Sequence, residues 1–146
     1  MADPDASPAP VPDPDAAITP VTDDHILHRL NYREVESTDD RLVMEMDNRP
    51  DLTNVRGALQ GGLVATLIDI AAGILAGRHS GAGYDVTTAD LNIHFLAPVL
   101  GRARAEASVV RAGKRLIVIA VDVTDVSRHR LAARATLTFA VLEPRR

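Results

Sequence analysis

A single carboxylate stands in the middle of the most apolar stretch of this 146-residue chain. It belongs to Asp69, within the stretch Leu63–Ala76, which begins directly after the pair Gly61–Gly62. A charge in such surroundings is costly unless it is paired or is used by the protein. Amides at a glycine-rich helix start can stabilise a developing oxyanion, while a carboxylate can serve the nucleophilic side. This combination predicts an enzyme that attacks a carbonyl carbon.

The donors for such an oxyanion are predicted at the start of the same helix. Gly61 and Gly62 allow a ligand to approach the backbone closely, and the unpaired amides of a helix N-terminus favour negative charge. Gln60 directly precedes them and can add a side-chain N–H donor.

The spacing of the acid and the glycine predicts how the protein assembles. Asp69 follows Gly61 by eight residues, which is about 12 Å along a helix that rises about 1.5 Å per residue. A substrate carbonyl contacts its attacker and its oxyanion donor within ~3 Å, so one helix cannot supply both groups. Two antiparallel copies of the helix can. We therefore predict a twofold homodimer with two equivalent sites across its interface.

The elements that must position these residues form one α+β domain. A helix is predicted over Gln60–Arg78, and its apolar circumference favours burial on all sides. Two segments before it, Leu27–Glu36 and Arg41–Asp47, favour a β-hairpin. After it, β-branched residues with a period of two predict four strands: Asp85–Ala97, Arg102–Val110, Leu116–Val126 and Leu131–Leu142. A buried helix beside a large antiparallel sheet predicts that the sheet curls around the helix, which is the hotdog fold.

Composition limits the chemistry and the location. The chain has no cysteine, which excludes disulfides and thiol nucleophiles. The histidines do not cluster with carboxylates, so we expect neither a metal nor a redox cofactor. Basic residues are not interleaved with aromatic ones, which argues against nucleic-acid binding. Gln60, Asp69 and the glycines argue against membrane insertion of the apolar stretch, and without a signal-peptide pattern we expect a cytoplasmic protein.

Charge and proline content divide the chain. Residues 1–22 are rich in Pro, Ala and Asp and predict a disordered tail, which leaves 23–146 as the single folded domain. Between Leu100 and Arg146 there are ten basic and four acidic residues. That excess could hold an anionic ligand, or it could be a solvated strand surface.

The segment Asn54–Asp69 resembles the helix-entry motif of the hotdog-fold acyl-CoA thioesterases. The nearest group is the phenylacetic-acid-degradation thioesterase-like branch of the 4-hydroxybenzoyl-CoA thioesterase superfamily. Its motif runs Asn, a five-residue gap, His-Gly-Gly and an acid nine residues after the His, and here Gln60 replaces the His. The segments Thr87–Val99 and Ala135–Phe139 also fit. The resemblance covers roughly Leu42 to Leu142.

The resemblance implies hydrolysis of an acyl-CoA thioester, without a cofactor, since CoA is part of the substrate. Asp69 would be the nucleophile or general base, and the Gly61 amide would form the oxyanion hole. Thr88 would orient the attacking water, with Thr87 as the alternative, and Asn54 would lie beside the nucleophile or its water. The residues implied near the pantetheine and nucleotide of CoA are Arg111, Gly113, Lys114 and Arg115.

Several alternatives stay open at this point. Gln60 can donate a hydrogen bond or brace the loop, but it cannot shuttle a proton as His can. Related hotdog thioesterases also use Gln near the oxyanion, which favours retained activity. The alternatives are a non-catalytic acyl-CoA-binding hotdog protein or an enoyl-CoA hydratase or dehydratase. The acyl group, an acyl-carrier-protein thioester in place of CoA, and a dimer of dimers in place of a dimer are also open.

Overall fold

The structure, a computed structural model, describes residues 23–144. The predicted tail over residues 1–22 therefore lies outside the described residues. The elements in chain order are α1 (Ile26–Arg29), β1 (Arg33–Ser37), β2 (Arg41–Asp47), α2 (Gly61–Arg78), β3 (Asp85–Phe95), β4 (Arg102–Ala112), β5 (Leu116–Asp125) and β6 (Arg130–Leu142).

The six strands form one antiparallel sheet in the order β1-β2-β4-β5-β6-β3. Alternate residues of each strand face α2, as the period of two requires. In β4 these are small residues, Ala103, Ala105 and Ala107, which let the helix lie close to the sheet. In β5 they are the larger Ile117, Ile119, Val121 and Val123. The single long helix on one antiparallel sheet confirms the predicted hotdog architecture.

The first predicted segment is not a single strand. Its beginning, with the residue before it, forms α1, and β1 starts only at Arg33. The His25 side chain accepts a hydrogen bond from the backbone N–H of Leu27 and so caps the short helix. Asn31, with φ of 51°, then turns the chain into the strand. The expectation of a strand over all of Leu27–Glu36 is therefore wrong, while the β1–β2 hairpin is confirmed.

Helix α2 is buried on one side only. The buried residues are Val64, Leu67, Ile68, Ala71, Ala72, Leu75 and Ala76. On the other side, Leu63 and Ile70 are partly buried and Ile74 is 39% exposed. The expectation of burial on all sides is wrong for the single chain, because the sheet covers only one face of the helix. Its length and mean hydropathy of 1.4 would suffice for a membrane span, but its buried face packs as a core helix does.

Strand β3 lies at one end of the sheet, and most of its residues are exposed. It pairs with β6 along one edge, and the register shifts between Thr88 and Asp90. No described residue pairs with its other edge. Such an edge, next to the uncovered face of α2, is a surface that proteins normally protect or pair.

Candidate active site

Asp69 is held by a hydrogen bond from the edge strand. The hydroxyl of Thr88 donates to Asp69 Oδ1 over 2.7 Å. Neighbouring residues of a strand point to opposite faces, so Thr87, which pairs with Ala140, faces away from the helix. The structure therefore brings Thr88, and not Thr87, to the acid.

The Asp69 carboxylate is poised at the surface of the single chain. Asp69 is partly exposed. Within residues 23–144, Thr88 is the residue that hydrogen-bonds to its side chain. Oδ2 is therefore free to accept a hydrogen bond from a water molecule, since a carboxylate has about four acceptor positions.

The N-terminus of α2 offers two amides. The Leu63 and Val64 N–H groups both donate to the Gln60 carbonyl, over 2.9 and 3.0 Å. Gly61 and Gly62 precede them, and their N–H groups find no acceptor among the described residues. Partial positive charge collects at such a helix end. These two amides are therefore available to an anionic or polarised oxygen.

The Gln60 side chain does not point toward the space in front of the Gly61 and Gly62 amides. Its side-chain Nε2 donates to the Thr53 carbonyl over 3.4 Å, and it makes no cap hydrogen bond to the helix. Its backbone N–H donates to the Leu52 carbonyl. Gln60 thus braces the loop that leads into α2, and the structure does not place its side chain in the cavity beside Gly61.

Asn54 is fixed by the loop before the helix. Its Oδ1 accepts from the backbone N–H groups of Arg56 and Ala58, over 2.9 and 3.2 Å. Rotating the amide by half a turn would lose both hydrogen bonds, so the orientation is set. The Nδ2 group then remains as the free donor of a side chain that lines the cavity.

A cavity of about 380 Å³ lies beside Gly61. The described residues that line it are Asn54, Ala58, Leu59, Gly61, Val64, Phe95, Leu96, Ala97, Pro98, Val99 and Ala132. Most are apolar, and the end of β3 with the segment after it supplies five of them. The sequence signal for this second wall was the apolar run Phe95–Val99 at the end of β3, which the predicted site residues did not include.

The structure divides the predicted catalytic residues into two groups within one chain. Asn54 and Gly61 line the cavity, while Asp69 and Thr88 do not. Helix α2 runs without interruption from Gly61 past Asp69, so the two groups are separated by about 12 Å along its axis. One chain therefore does not bring its own acid to its own amide donors.

The predicted CoA-binding residues surround a separate cleft of about 490 Å³ at the β4–β5 hairpin. Gly113 permits the tight turn: its N–H donates to the Leu116 carbonyl, and a Cβ there would lie 2.9 Å from that oxygen. Arg111, Lys114 and Arg115 form no ion pair with any carboxylate of residues 23–144. The structure brings all four residues together.

Most other basic residues of the sheet are neutralised. Arg104 pairs with Glu36 and Glu45, and Arg102 pairs with Asp47. On the neighbouring strands Arg134 holds Asp122 and lowers the pKa of that carboxyl by hydrogen bonding. Acidic residues of the early strands β1 and β2 therefore form ion pairs with arginines of the later strand β4. The hairpin cleft keeps its positive charge.

Within residues 23–144 no three His, Asp or Glu side chains come together as metal ligands would. The polar groups of the site are instead a carboxylate, a hydroxyl, a carboxamide and backbone amides. These suit proton transfer and stabilisation of a carbonyl oxygen.

Comparisons with known proteins agree with this chemistry. Residues 56–132 match the sequence model of the thioesterase superfamily. Human acyl-coenzyme A thioesterase 13 is 32% identical over 71% of this chain and 75% of its own. A thioesterase family protein from Silicibacter pomeroyi shares the fold with a TM-score of 0.77 at 26% identity, over 81% of this chain and 89% of that one. The BH2602 protein from Bacillus halodurans, solved with CoA, has a TM-score of 0.65 at 33% identity, over 68% and 66%.

Proposed function

The chain belongs to the thioesterase superfamily and is a thioesterase, and we propose that it hydrolyses an acyl-CoA to a free carboxylic acid and CoA. The observation that carries the proposal is the Gly61 N–H, which has no acceptor among residues 23–144 and lies at a cavity lined mainly by apolar residues. An apolar acyl group fits the cavity, and the amide suits the thioester oxygen.

In the proposed mechanism Asp69 acts as the general base, with direct attack by the same carboxylate as the alternative. Asp69 takes a proton from a water molecule that Thr88 orients, and the water oxygen adds to the carbonyl carbon. Negative charge builds on the carbonyl oxygen, which the Gly61 N–H stabilises with help from Asn54 Nδ2. The C–S bond then breaks, and the proton held by Asp69 passes to the CoA thiolate. No metal or further cofactor takes part.

We propose that each site combines two chains. The acid and the amides are about 12 Å apart on one helix, so Asp69 of one protomer would work with Gly61 of its partner. The uncovered apolar face of α2 and the unpaired edge of β3 support a twofold partner. Leu91, which is 40% exposed, adds an apolar side chain at the edge strand β3.

CoA recognition is proposed at the basic hairpin. Arg111, Lys114 and Arg115 would bind the phosphate groups of the nucleotide, since guanidinium and ammonium groups bind phosphate well. Acyl-carrier-protein thioesters lack this nucleotide. The unpaired cations therefore favour CoA as the thiol carrier.

A subunit-mixing experiment tests the shared site. Asp69→Asn removes the base, and Gly61→Pro removes the amide N–H at the first helical position, which tolerates proline. Each variant alone should release almost no thiol from acyl-CoA. Equal amounts, unfolded and refolded together, should recover about a quarter of the wild-type rate, because half of the dimers then carry one intact site of two.

Three outcomes separate the claims. No thiol release by the wild-type protein across a broad acyl-CoA panel would contradict the proposed substrate. Activity that does not return in the mixture would contradict the shared site alone. A fully active monomer in sedimentation would contradict the dimer.

A further inference from the structure

The cavity beside Gly61 carries no charged side chain in its described lining. Its one polar side chain is Asn54, whose Oδ1 is already used by backbone amides. At about 380 Å³ the cavity falls within the size range of small-molecule sites, about 300–1,000 Å³. A second carboxylate on an acyl chain would find no cation among these lining residues, and burying it against them would cost its solvation.

One aromatic ring stands next to the amide donors. Phe95 ends β3, and its ring atoms Cε1 and Cζ lie 3.6 and 3.8 Å from the position that a Cβ on Gly61 would occupy. The ring therefore lies against the start of α2. Yet Phe95 is 57% exposed, as is Leu96. Two large apolar side chains exposed at the rim of a cavity are typical of a binding surface.

The backbone that carries these side chains is held on both sides. The Leu96 and Ala97 N–H groups donate to the Ala132 carbonyl over 2.8 and 3.1 Å. Two residues further on, the Val99 carbonyl accepts from the Leu59 N–H over 2.8 Å. The backbone that carries the ring is therefore held in place, and a preorganised segment can discriminate between ligand shapes.

We infer that Phe95 determines acyl specificity, selecting uncharged acyl groups long enough to reach past the carbonyl and pack against its ring. The inference rests on the proposed function, because it places the thioester oxygen at the Gly61 N–H. With the oxygen there, the part of the acyl chain beyond its second carbon lies against the ring. A two-carbon acyl group ends before it gains this contact, whereas a longer or aromatic group is held by it.

The test compares Phe95→Ala with Leu142→Ala. Leu142 is a matched control because it is also a large exposed apolar residue and lies at the opposite end of the β3–β6 pair. The measurement is kcat/KM for thiol release from acetyl-, octanoyl-, phenylacetyl- and succinyl-CoA. Wild type should prefer octanoyl- and phenylacetyl-CoA. In Phe95→Ala these two should fall about tenfold or more, with acetyl-CoA nearly unchanged. Leu142→Ala should keep the wild-type profile.

Each other result overturns the inference in a distinct way. An equal fall for acetyl- and octanoyl-CoA would mean that Phe95 only supports the Gly61 amide. A wild-type preference for succinyl-CoA would contradict the uncharged cavity. Both leave thioester hydrolysis standing, whereas a wild-type protein that releases no thiol contradicts the proposed function as well. Circular dichroism and the Tm of Phe95→Ala show whether the variant is folded.

Discussion

The Thr88 hydroxyl donates to Asp69 Oδ1 over 2.7 Å and so joins the edge strand β3 to helix α2. This hydrogen bond uses the only proton of the hydroxyl, so the Thr88 oxygen can otherwise only accept. A water molecule between Thr88 and the free Asp69 Oδ2 would donate one proton to each. That arrangement directs a water lone pair away from the protein and toward a substrate.

The first prediction concerns the charge of Asp69. Asp69→Asn keeps the size of the side chain and an oxygen that can accept from Thr88, but it cannot take a proton. We expect kcat for thiol release to fall by about 10²–10⁴-fold, the usual contribution of a general base. Asp90→Asn is the control, because Asp90 is an exposed acid on β3, two residues after Thr88. Asp69→Asn activity within threefold of wild type would remove Asp69 from the mechanism.

The second prediction separates two neighbouring threonines. Thr88→Val removes the hydroxyl at nearly constant volume and should lower kcat by about tenfold or more, since one hydrogen bond to a charged group contributes roughly 1.5–3 kcal/mol. Thr88→Ser should restore most of the rate. Thr87→Val should have no effect, because Thr87 faces away from α2. Equal effects at the two positions would contradict the assigned facing.

The sequence predicted the elements well because their patterns are local. The helix was expected over Gln60–Arg78 and runs over Gly61–Arg78. The four later strands end within two residues of their predicted limits, since a period of two and short turns mark them directly. The clear exception is α1. The His25 side chain caps this short helix, whose residues overlap a segment with an otherwise strand-like pattern.

What the sequence could not predict depends on contacts between distant segments. The choice between Thr87 and Thr88 depends on the pairing of β3 with β6 and on a register shift beside Thr88. Whether the excess of basic residues is neutralised depends on which carboxylates lie opposite them on neighbouring strands, as Glu45 lies opposite Arg104. The position of Phe95 beside Gly61 depends on the fold, which brings the end of β3 against the start of α2.

The third prediction isolates the Gly61 amide. Gly61→Ala keeps the N–H and adds a Cβ in ordinary contact with Phe95, at 3.6 Å. Gly61→Pro adds the same Cβ and removes the N–H. Gln60, with φ −50° and ψ 131°, already has the extended backbone that a following proline requires. We expect Gly61→Pro to lose about 10²–10³-fold in kcat relative to Gly61→Ala, as other oxyanion donors do. Equal rates for the two variants would show that this amide is not a donor.

The fourth prediction tests the basic hairpin. Lys114→Gln and Arg115→Gln should raise KM for an acyl-CoA by several-fold, and more strongly at low salt, because screening weakens exposed charges. The same acyl group on pantetheine, without the nucleotide, should show no change in KM. Arg130→Gln lies outside the cleft and is the control. An equal rise in KM for the pantetheine thioester would contradict phosphate binding by the hairpin.

The fifth prediction concerns stability in acid and depends on Asp125, which is fully buried. Burial alone would raise its pKa, but hydrogen bonds from Ser127 Oγ and from the N–H groups of Leu100 and Ser127 outweigh burial and lower it. A carboxyl whose pKa is lower in the folded state stabilises the fold above its unfolded pKa of about 3.9, and this stabilisation disappears as the pH falls through the folded pKa.

Asp125→Ala should therefore destabilise the protein at neutral pH by about 2–4 kcal/mol, because it leaves buried N–H donors without acceptors. The difference from wild type should shrink as the pH falls below about 4, because the carboxyl of the unfolded chain takes up a proton there before the folded carboxyl, whose pKa is lower, does. Urea unfolding between pH 7 and pH 3 measures both effects, with the exposed Asp39→Asn as control. Because the Leu100 contact anchors the segment that carries Pro98 and Val99 to the cavity, the variant should also lose activity before it unfolds. A difference that stays constant across this pH range would mean that the carboxylate charge contributes nothing to the fold.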